Sequence, residues 1–244
     1  MIFIIIKDCE MRLAHHGLLI ILLTLTGCAP QTQQLSETLS VALFGVSDER
    51  ATVEYAQNLP YASLFVSLDD APNALLVLAW AEQGKAHPFA LKWVSNQEEL
   101  LITEAGRITK TVNLVVGNIQ ALSANTPDPL SLNLLHAQTP TTWQYQLHWQ
   151  QGKQGKQGKQ GKQDYIEPAL SQFKVYGQQE KALPTGSQNL VLVEESVTLT
   201  VSKQRYHNRY WLSPKTGRVI ASEQYLGPNG SRLSLSIAKP FAGE

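Results

Sequence analysis

The hydrophobic positions of this chain change their period at Pro60. Before it, Leu35, Leu39 and Leu43 fall on one stripe of a helix over Leu35–Phe44, with Ser36 placed to cap its first turn. Ser47-Asp48-Glu49 offers a capping side chain and two first-turn acids for a second helix, which Pro60 ends. After Pro60 the period is two. Tyr61–Asp69 puts Ala62, Leu64, Val66 and Leu68 on one face. Ala74–Trp80 is continuously apolar, the pattern of a strand buried on both sides. Phe89–Ser95, Glu99–Glu104 and Arg107–Leu114 follow, with Glu104-Ala105-Gly106 as a turn. Thr142–Gln150 points Trp143, Tyr145, Leu147 and Trp149 one way and Gln144, Gln146 and His148 the other. Ser196–Ser202 and Arg232–Ala238 alternate in the same manner. Many short strands, most with one polar face, predict a mainly β fold: a largely antiparallel curved sheet, as a sandwich or open barrel, with short N-terminal helices.

One stretch has no such pattern. Residues 151–163 are four copies of Gln-Gly-Lys and a final Gln, which offer nothing apolar for burial and spend glycine entropy. They read as a disordered hairpin loop between a strand ending near Gln150 and one beginning near Tyr165. Its lysines could touch lipid phosphates. A length-variable insertion without function is the simpler account.

The N-terminus carries an address. From Met11, Arg12 supplies a positive n-region and Leu18–Leu25 an apolar stretch too short to span a bilayer, which takes about 20 residues. Leu25-Thr26-Gly27-Cys28 then matches the lipobox of bacterial lipoprotein signals, and the Cys28 sulfur is the nucleophile that would take a diacylglycerol. The expectation is a signal peptide over 1–27, with Met11 as the start and Met1–Glu10 as an upstream extension. A lipidated tether over 28–34 and a single β-rich domain over 35–244 would follow. Ala29, where an Asp would signal inner-membrane retention, points to the outer membrane and its periplasmic face. A six-residue tether, Ala29–Gln34, reaches at most ~20 Å and would keep the domain near the membrane. No cofactor is expected beyond the lipid on Cys28.

Charge adds a local signal and excludes a global one. The chain has 20 basic and 20 acidic residues, so a strongly basic nucleic-acid binder is disfavoured. The balance is uneven, however. Lys153, Lys156, Lys159 and Lys162 lie in the repeat, and Lys203–Lys239 holds seven basic residues against one acid, Glu223. Arg205, His207 and Arg209 share one strand face by period two. With Arg218 they are candidate contacts for an acidic polysaccharide, lipid phosphates or an acidic partner, against the plainer reading of a solvated face.

Catalytic signals are missing. Cys9 and Cys28 are the only cysteines, which excludes a disulfide scaffold and a four-cysteine zinc site. His87, His136, His148 and His207 have no metal-ligand spacing. No G-x-S-x-G or P-loop occurs. The adjacent carboxylates Glu194-Glu195 and Asp69-Asp70 would face opposite ways on a strand, so each reads as a turn or bulge and not as an acid/base couple. Trp93 and Trp211 are candidates for stacking on sugar rings, while Trp143 and Trp149, on the apolar face of their strand, read as core.

The densest run of motifs lies near the C-terminus: Tyr206-His207-Asn208-Arg209-Tyr210-Trp211, Thr216-Gly217-Arg218-Val219, Ser222-Glu223-Gln224-Tyr225-Leu226-Gly227-Pro228 and Lys239-Pro240. Upstream stand Leu59-Pro60-Tyr61-Ala62-Ser63, Lys92-Trp93-Val94-Ser95, Thr103 with Gly106-Arg107, and Lys110-Thr111. In this order they resemble the YjbF/GfcB family of lipoproteins, associated with group 4 capsule and exopolysaccharide production, over nearly the whole mature chain. The Gln-Gly-Lys tract and the longer turn over Gly84–Phe89 depart from that pattern, both in loops. The resemblance implies a mostly β outer-membrane lipoprotein without catalytic residues. It also implies an operon that encodes a periplasmic protein and an outer-membrane β-barrel, which are the expected partners beside the membrane, with polysaccharide as a further candidate and no nucleic acid. Two other readings remain open: a carrier of a lipid or acyl chain, which needs a large apolar cavity, and a glycan-modifying enzyme, which needs two carboxylates roughly 5–10 Å apart in a cleft.

Overall fold

A computed structural model of the chain describes residues 53–83, 89–96, 98–152 and 163–243. The signal segment, Cys28, the tether, the helix expected over Leu35–Phe44, His87 and the interior of the Gln-Gly-Lys tract lie outside the described residues. Among the described residues, one α-helix, α1 (Val53–Asn58), precedes twelve strands: β1 (Ser63–Leu68), β2 (Ala74–Gln83), β3 (Phe89–Val94), β4 (Leu100–Glu104), β5 (Arg107–Val112), β6 (Gly117–Ser123), β7 (Thr142–Gln151), β8 (Gln163–Lys181), β9 (Gln188–Leu199), β10 (Arg205–Leu212), β11 (Val219–Tyr225) and β12 (Arg232–Lys239). They form one antiparallel sheet in the order β5-β4-β3-β2-β1-β12-β11-β10-β9-β8-β7-β6. Each strand lies beside its neighbour in sequence, and β12 pairs with β1. The sheet thus curls into a nearly closed barrel whose seam falls between β5 and β6.

Side chains latch that seam. The Asn118 amide accepts from Leu114 N and from the Thr111 hydroxyl, both at 3.1 Å, and donates to Leu114 O at 3.0 Å. Thr111 Oγ1 in turn accepts from Ile119 N at 3.0 Å. Backbone groups that a ladder would pair are satisfied here by two polar side chains. Further along β5, Gln224 of β11 reaches across the interior, accepting from Ile108 N at 2.9 Å and donating to Gly106 O at 2.8 Å.

Period two sorts the wall into faces. Leu64, Val66, Leu91, Trp93, Trp143, Tyr145, Leu147 and Trp149 all point inward into one core. Ala74–Trp80 departs from the expected strand buried on both sides: β2 buries one face only, and Trp80 is 64% exposed outside it. The strand that is buried on both faces is β1, because α1 lies over its outer side and packs Ala56 on Phe65 and Ala238. The Lys239 ammonium holds the helix there by donating to the carbonyls of Gln57 and Leu59 at its C-terminal end.

Strand ends differ from the sequence pattern where turn chemistry intervenes. The strand expected over Ser196–Ser202 begins at Gln188 and stops at Leu199, because Lys203 takes φ 61° and its N–H turns back to Leu199 O. Val201 therefore stands exposed in the turn. The predicted Glu104-Ala105-Gly106 turn forms, with φ 47° at Ala105 and 83° at Gly106, and a Cβ at Gly106 would run into Val219. Strands flank the repeat as expected: Gln150 pairs with Asp164 and Gln151 with Gln163.

Candidate functional site

Arg107, at the start of β5, turns into the barrel between strands on opposite walls. Its Nη1 donates to Glu195 of β9 at 2.9 Å, and its Nε donates to Asp128, just ahead of the short 3-10 turn Pro129–Leu132. Trp143, Tyr210 and Phe173 face the guanidinium at 4.9, 5.5 and 5.8 Å. Arg107 is 2% exposed and Glu195 is fully buried. Burial alone would push the Glu195 pKa up. The charge of Arg107, with hydrogen bonds from Arg107, Ser171 and Asn208, overrides it and holds the carboxyl below its ordinary value. Burial alone would likewise lower the pKa of Arg107, but Asp128 and Glu195 keep it well above the usual arginine value. Burial pushes the Tyr145, Tyr206 and Tyr210 phenols up, so they keep their protons.

Glu195 accepts from Arg107, Ser171, Asn208 at 2.8 Å and Tyr210 at 3.0 Å. A carboxylate so fully engaged is a brace and not a free base. It ties β9 to β5 through Arg107, and Arg107, by its bonds to Asp128, pins the segment between β6 and β7 to the barrel. The sequence reading missed this cluster. The signal was present in β9, since a parity that turns Val197 and Leu199 inward also turns Glu195 inward. Glu194-Glu195 is therefore not a turn or bulge but mid-strand, with one residue on each face. Asp69-Asp70 does lie in a turn, where Asp69 accepts from Arg232 N at 2.9 Å.

The four candidate cations separate. Arg205, His207 and Arg209 do share the outer face of β10. Arg209 sits between Glu194 at 3.8 Å and Glu223 at 3.7 Å, and His207 stands 3.7 Å from Glu194 and 3.1 Å from the Ser196 hydroxyl. Glu194 lies on the neighbouring strand, outside the sequence window in which the basic excess was counted. Arg218 lies elsewhere, exposed in the turn between β10 and β11.

Neither candidate stacking residue offers a ring to solvent. Trp93 is 3% exposed, faces inward and donates its indole N–H to Thr103 at 2.8 Å. Trp211 is 5% exposed on the outer wall, packed with Leu190, Ala221 and Leu183 and covered by the Lys181 ammonium 3.6 Å from its ring centroid.

Two open clefts have a mixed polar and apolar lining. One, of about 410 Å³, opens at the barrel end where the β4–β5 and β10–β11 turns meet, walled by Phe89, Leu130, Ser131, Asn133, Thr216 and Arg218. The other, of about 460 Å³, runs past Asn125, Gln144, Gln146, Pro168 and Thr200. Among the described residues, no histidine, cysteine or acid lines either one. Within the barrel, a cavity of about 50 Å³ beside Leu64, Trp93 and Val219 has room for a water or two at about 30 Å³ each, and not for an acyl chain.

Comparison with known proteins gives one consistent result. A family model described as group 4 capsule polysaccharide lipoprotein gfcB, YjbF matches residues 36–237. The lipoprotein YjbF of Escherichia coli (strain K12) is 30% identical over 228 residues, covering 91% of this chain and 96% of its own. GfcB of the same organism is 26% identical over 219 residues, with 89% and 94% covered. The crystal structure of the hypothetical lipoprotein YmcC from Escherichia coli (K12) superposes with a TM-score of 0.66 at 24% identity, over 80% of this chain and 91% of that one, a likeness of fold.

Proposed function

The chain belongs to the family of group 4 capsule polysaccharide lipoproteins that includes GfcB and YjbF, and from that membership we propose that it is a non-enzymatic accessory in making or exporting capsule or exopolysaccharide. It is anchored by lipid on Cys28 to the periplasmic face of the outer membrane and docks on an outer-membrane β-barrel or a periplasmic partner. The family match over residues 36–237 carries this reading. The Leu25-Thr26-Gly27-Cys28 signal supports the anchor. The filled barrel interior speaks against a carrier of lipid. The saturated Glu195 speaks against hydrolysis of a glycan, and among the described residues that wall the two clefts above there is no acid, while a smaller cleft of about 150 Å³ offers Glu223 as its one carboxylate.

Deletion of the gene tests the process: polymer output under inducing conditions should fall, and unchanged output in a strain that makes the polymer would count against the reading. Labelling with radioactive palmitate tests the anchor. The wild type should take label and fractionate with outer membranes, and Cys28→Ala should take none. Equal labelling of the variant would place the lipid elsewhere.

A further inference from the structure

Of the four cations singled out in the sequence, Arg218 is the one that lines a cleft. The turn that carries it, Ser213-Pro214-Lys215-Thr216-Gly217-Arg218, holds a second cation and no acid. This turn is held in shape. Ser213 N donates to Arg218 O at 2.8 Å, Gly217 N to Ser213 O at 2.8 Å, and Arg218 N to the Thr216 hydroxyl at 3.3 Å. Gly217 takes φ 72°, and a Cβ there would overlap the Asn133 amide, so the turn and the segment after Asp128 fit flush against each other. Asn133 itself takes φ 61° and is braced by Leu135 N, which donates to its side chain at 3.1 Å. Phe89 stands edge-on to Phe241 with centroids 5.5 Å apart and forms an aromatic wall.

A cleft of about 410 Å³ is within the size range of small-ligand sites, roughly 300–1,000 Å³. Its chemistry is mixed in a specific way: one guanidinium fork, hydroxyls from Ser131 and Thr216, an aromatic wall, and a floor of Ala105, Gly106 and Gly217. A bare phosphate would use the fork and leave Phe89 idle. A neutral sugar would use the hydroxyls and Phe89 and leave the cation unanswered. A sugar ring bearing a carboxylate uses all of them.

We propose that this mouth cleft is a subsite for a uronate residue of a polysaccharide chain, with Arg218 pairing the carboxylate and Phe89 and the two hydroxyls meeting the ring. The assignment rests on the reading that the protein works on polysaccharide, and it names the class of sugar and the place it sits.

The test is calorimetric titration of the full-length lipoprotein in detergent micelles with trigalacturonate, maltotriose and inorganic phosphate. Trigalacturonate should bind, and Arg218→Ala should weaken it about tenfold or more, roughly 1.4 kcal/mol per decade. Arg218→Lys should lose part of the affinity, since it keeps the charge and loses the fork. Arg205→Ala, an exposed cation away from the cleft, should change nothing. Equal binding of maltotriose would overturn the role of the carboxylate. Displacement of trigalacturonate by phosphate at matched charge would make the cleft a general anion site, and an equal loss in Arg205→Ala would reduce the effect to diffuse charge. Melting curves of the variants, unchanged because both side chains are exposed, exclude misfolding as the cause. The two readings fail separately: polymer output lost on deletion without Arg218-dependent binding sinks the cleft alone, and Arg218-dependent binding with unchanged output sinks the accessory role alone.

Discussion

Glu194 and Glu195 are consecutive residues of β9, yet they sit in different solvents. Glu194 is on the outer wall, where Arg209, half-exposed, and His207 stand 3.7–3.8 Å away. Glu195 is inside, where an equally buried arginine and three uncharged donors close on it. Charge type and strand are alike. The face differs, and with it the cross-strand neighbours, Arg209 and Lys174 for Glu194 but Asn208 and Phe173 for Glu195, and the face decides what the pair is worth. Outside, water already solvates both partners, and pairing adds little. Inside, each partner has lost its water, so removing one strands the other.

The largest expected effect follows from that asymmetry. Glu195→Ala should cost about 3–5 kcal/mol in urea unfolding, because it leaves Arg107 buried against Asp128 alone. Glu194→Ala should cost under about 1 kcal/mol. Similar losses for the two would break the contrast.

Acid should sharpen it. The folded Glu195 carboxyl binds a proton more weakly than the unfolded one, whose ordinary value is 4.5. Its stabilisation is therefore complete above pH 4.5 and drains away as pH falls through the lower, folded value. Glu99 and Glu104 act in the opposite sense, since burial pushes both up. The difference in stability between wild type and Glu195→Gln isolates the one group. It should be constant near neutrality and shrink below pH 4.5. A difference that grows in acid would mean that the carboxyl is protonated in the fold.

The latch at the seam extends the comparison to an uncharged polar group. Asn118 is buried, and three of its hydrogen bonds replace a missing ladder. Asn118→Ala should cost about 1–3 kcal/mol, since Leu114 N–H is left buried and unpaired. Amide exchange at Ile119 and Leu114 should quicken more than at β9. Uniform quickening would mean that the seam opens only with the whole barrel.

These interior features show where the sequence was informative. Period-two alternation placed the inward face of β7 correctly, because that strand has one face against the core and one against solvent, and it placed the inward faces of β1 and β12 although α1 lies over their outer side. It misjudged Ala74–Trp80, since an apolar outer face looks the same whether or not a helix covers it. The helix in fact covers β1, next door. β6 and β11 were not picked out: Gly117–Ser123 and Val219–Tyr225 mix small and polar residues whose partners lie on other strands. The site was less legible than the fold for the same reason. Arg107, Asp128 and Glu195 meet only after the barrel closes, since Arg107 and Glu195 are 88 positions apart in the chain. The outer stripe looked more basic than it is because Glu194 answers from the adjacent strand. Trp211 looked free to stack because nothing in its own strand shows that the β8–β9 hairpin folds over it.

The smallest expected effect is on that outer stripe, and it tests the comparison most directly. In a double-mutant cycle of Arg209→Ala with Glu194→Ala, the coupling should be about 0.2–1 kcal/mol at low salt. It should fade as ionic strength rises toward 1 M, where the screening length is about 3 Å. Arg209 also stands 3.7 Å from Glu223, which Lys181 already holds at 3.2 Å, so Glu223 keeps a cation when Arg209 is lost. Coupling above about 2 kcal/mol, or coupling insensitive to salt, would mean that the outer wall is shielded from water in the folded protein. The distinction between the two faces of β9 would then be one of partners and not of solvent.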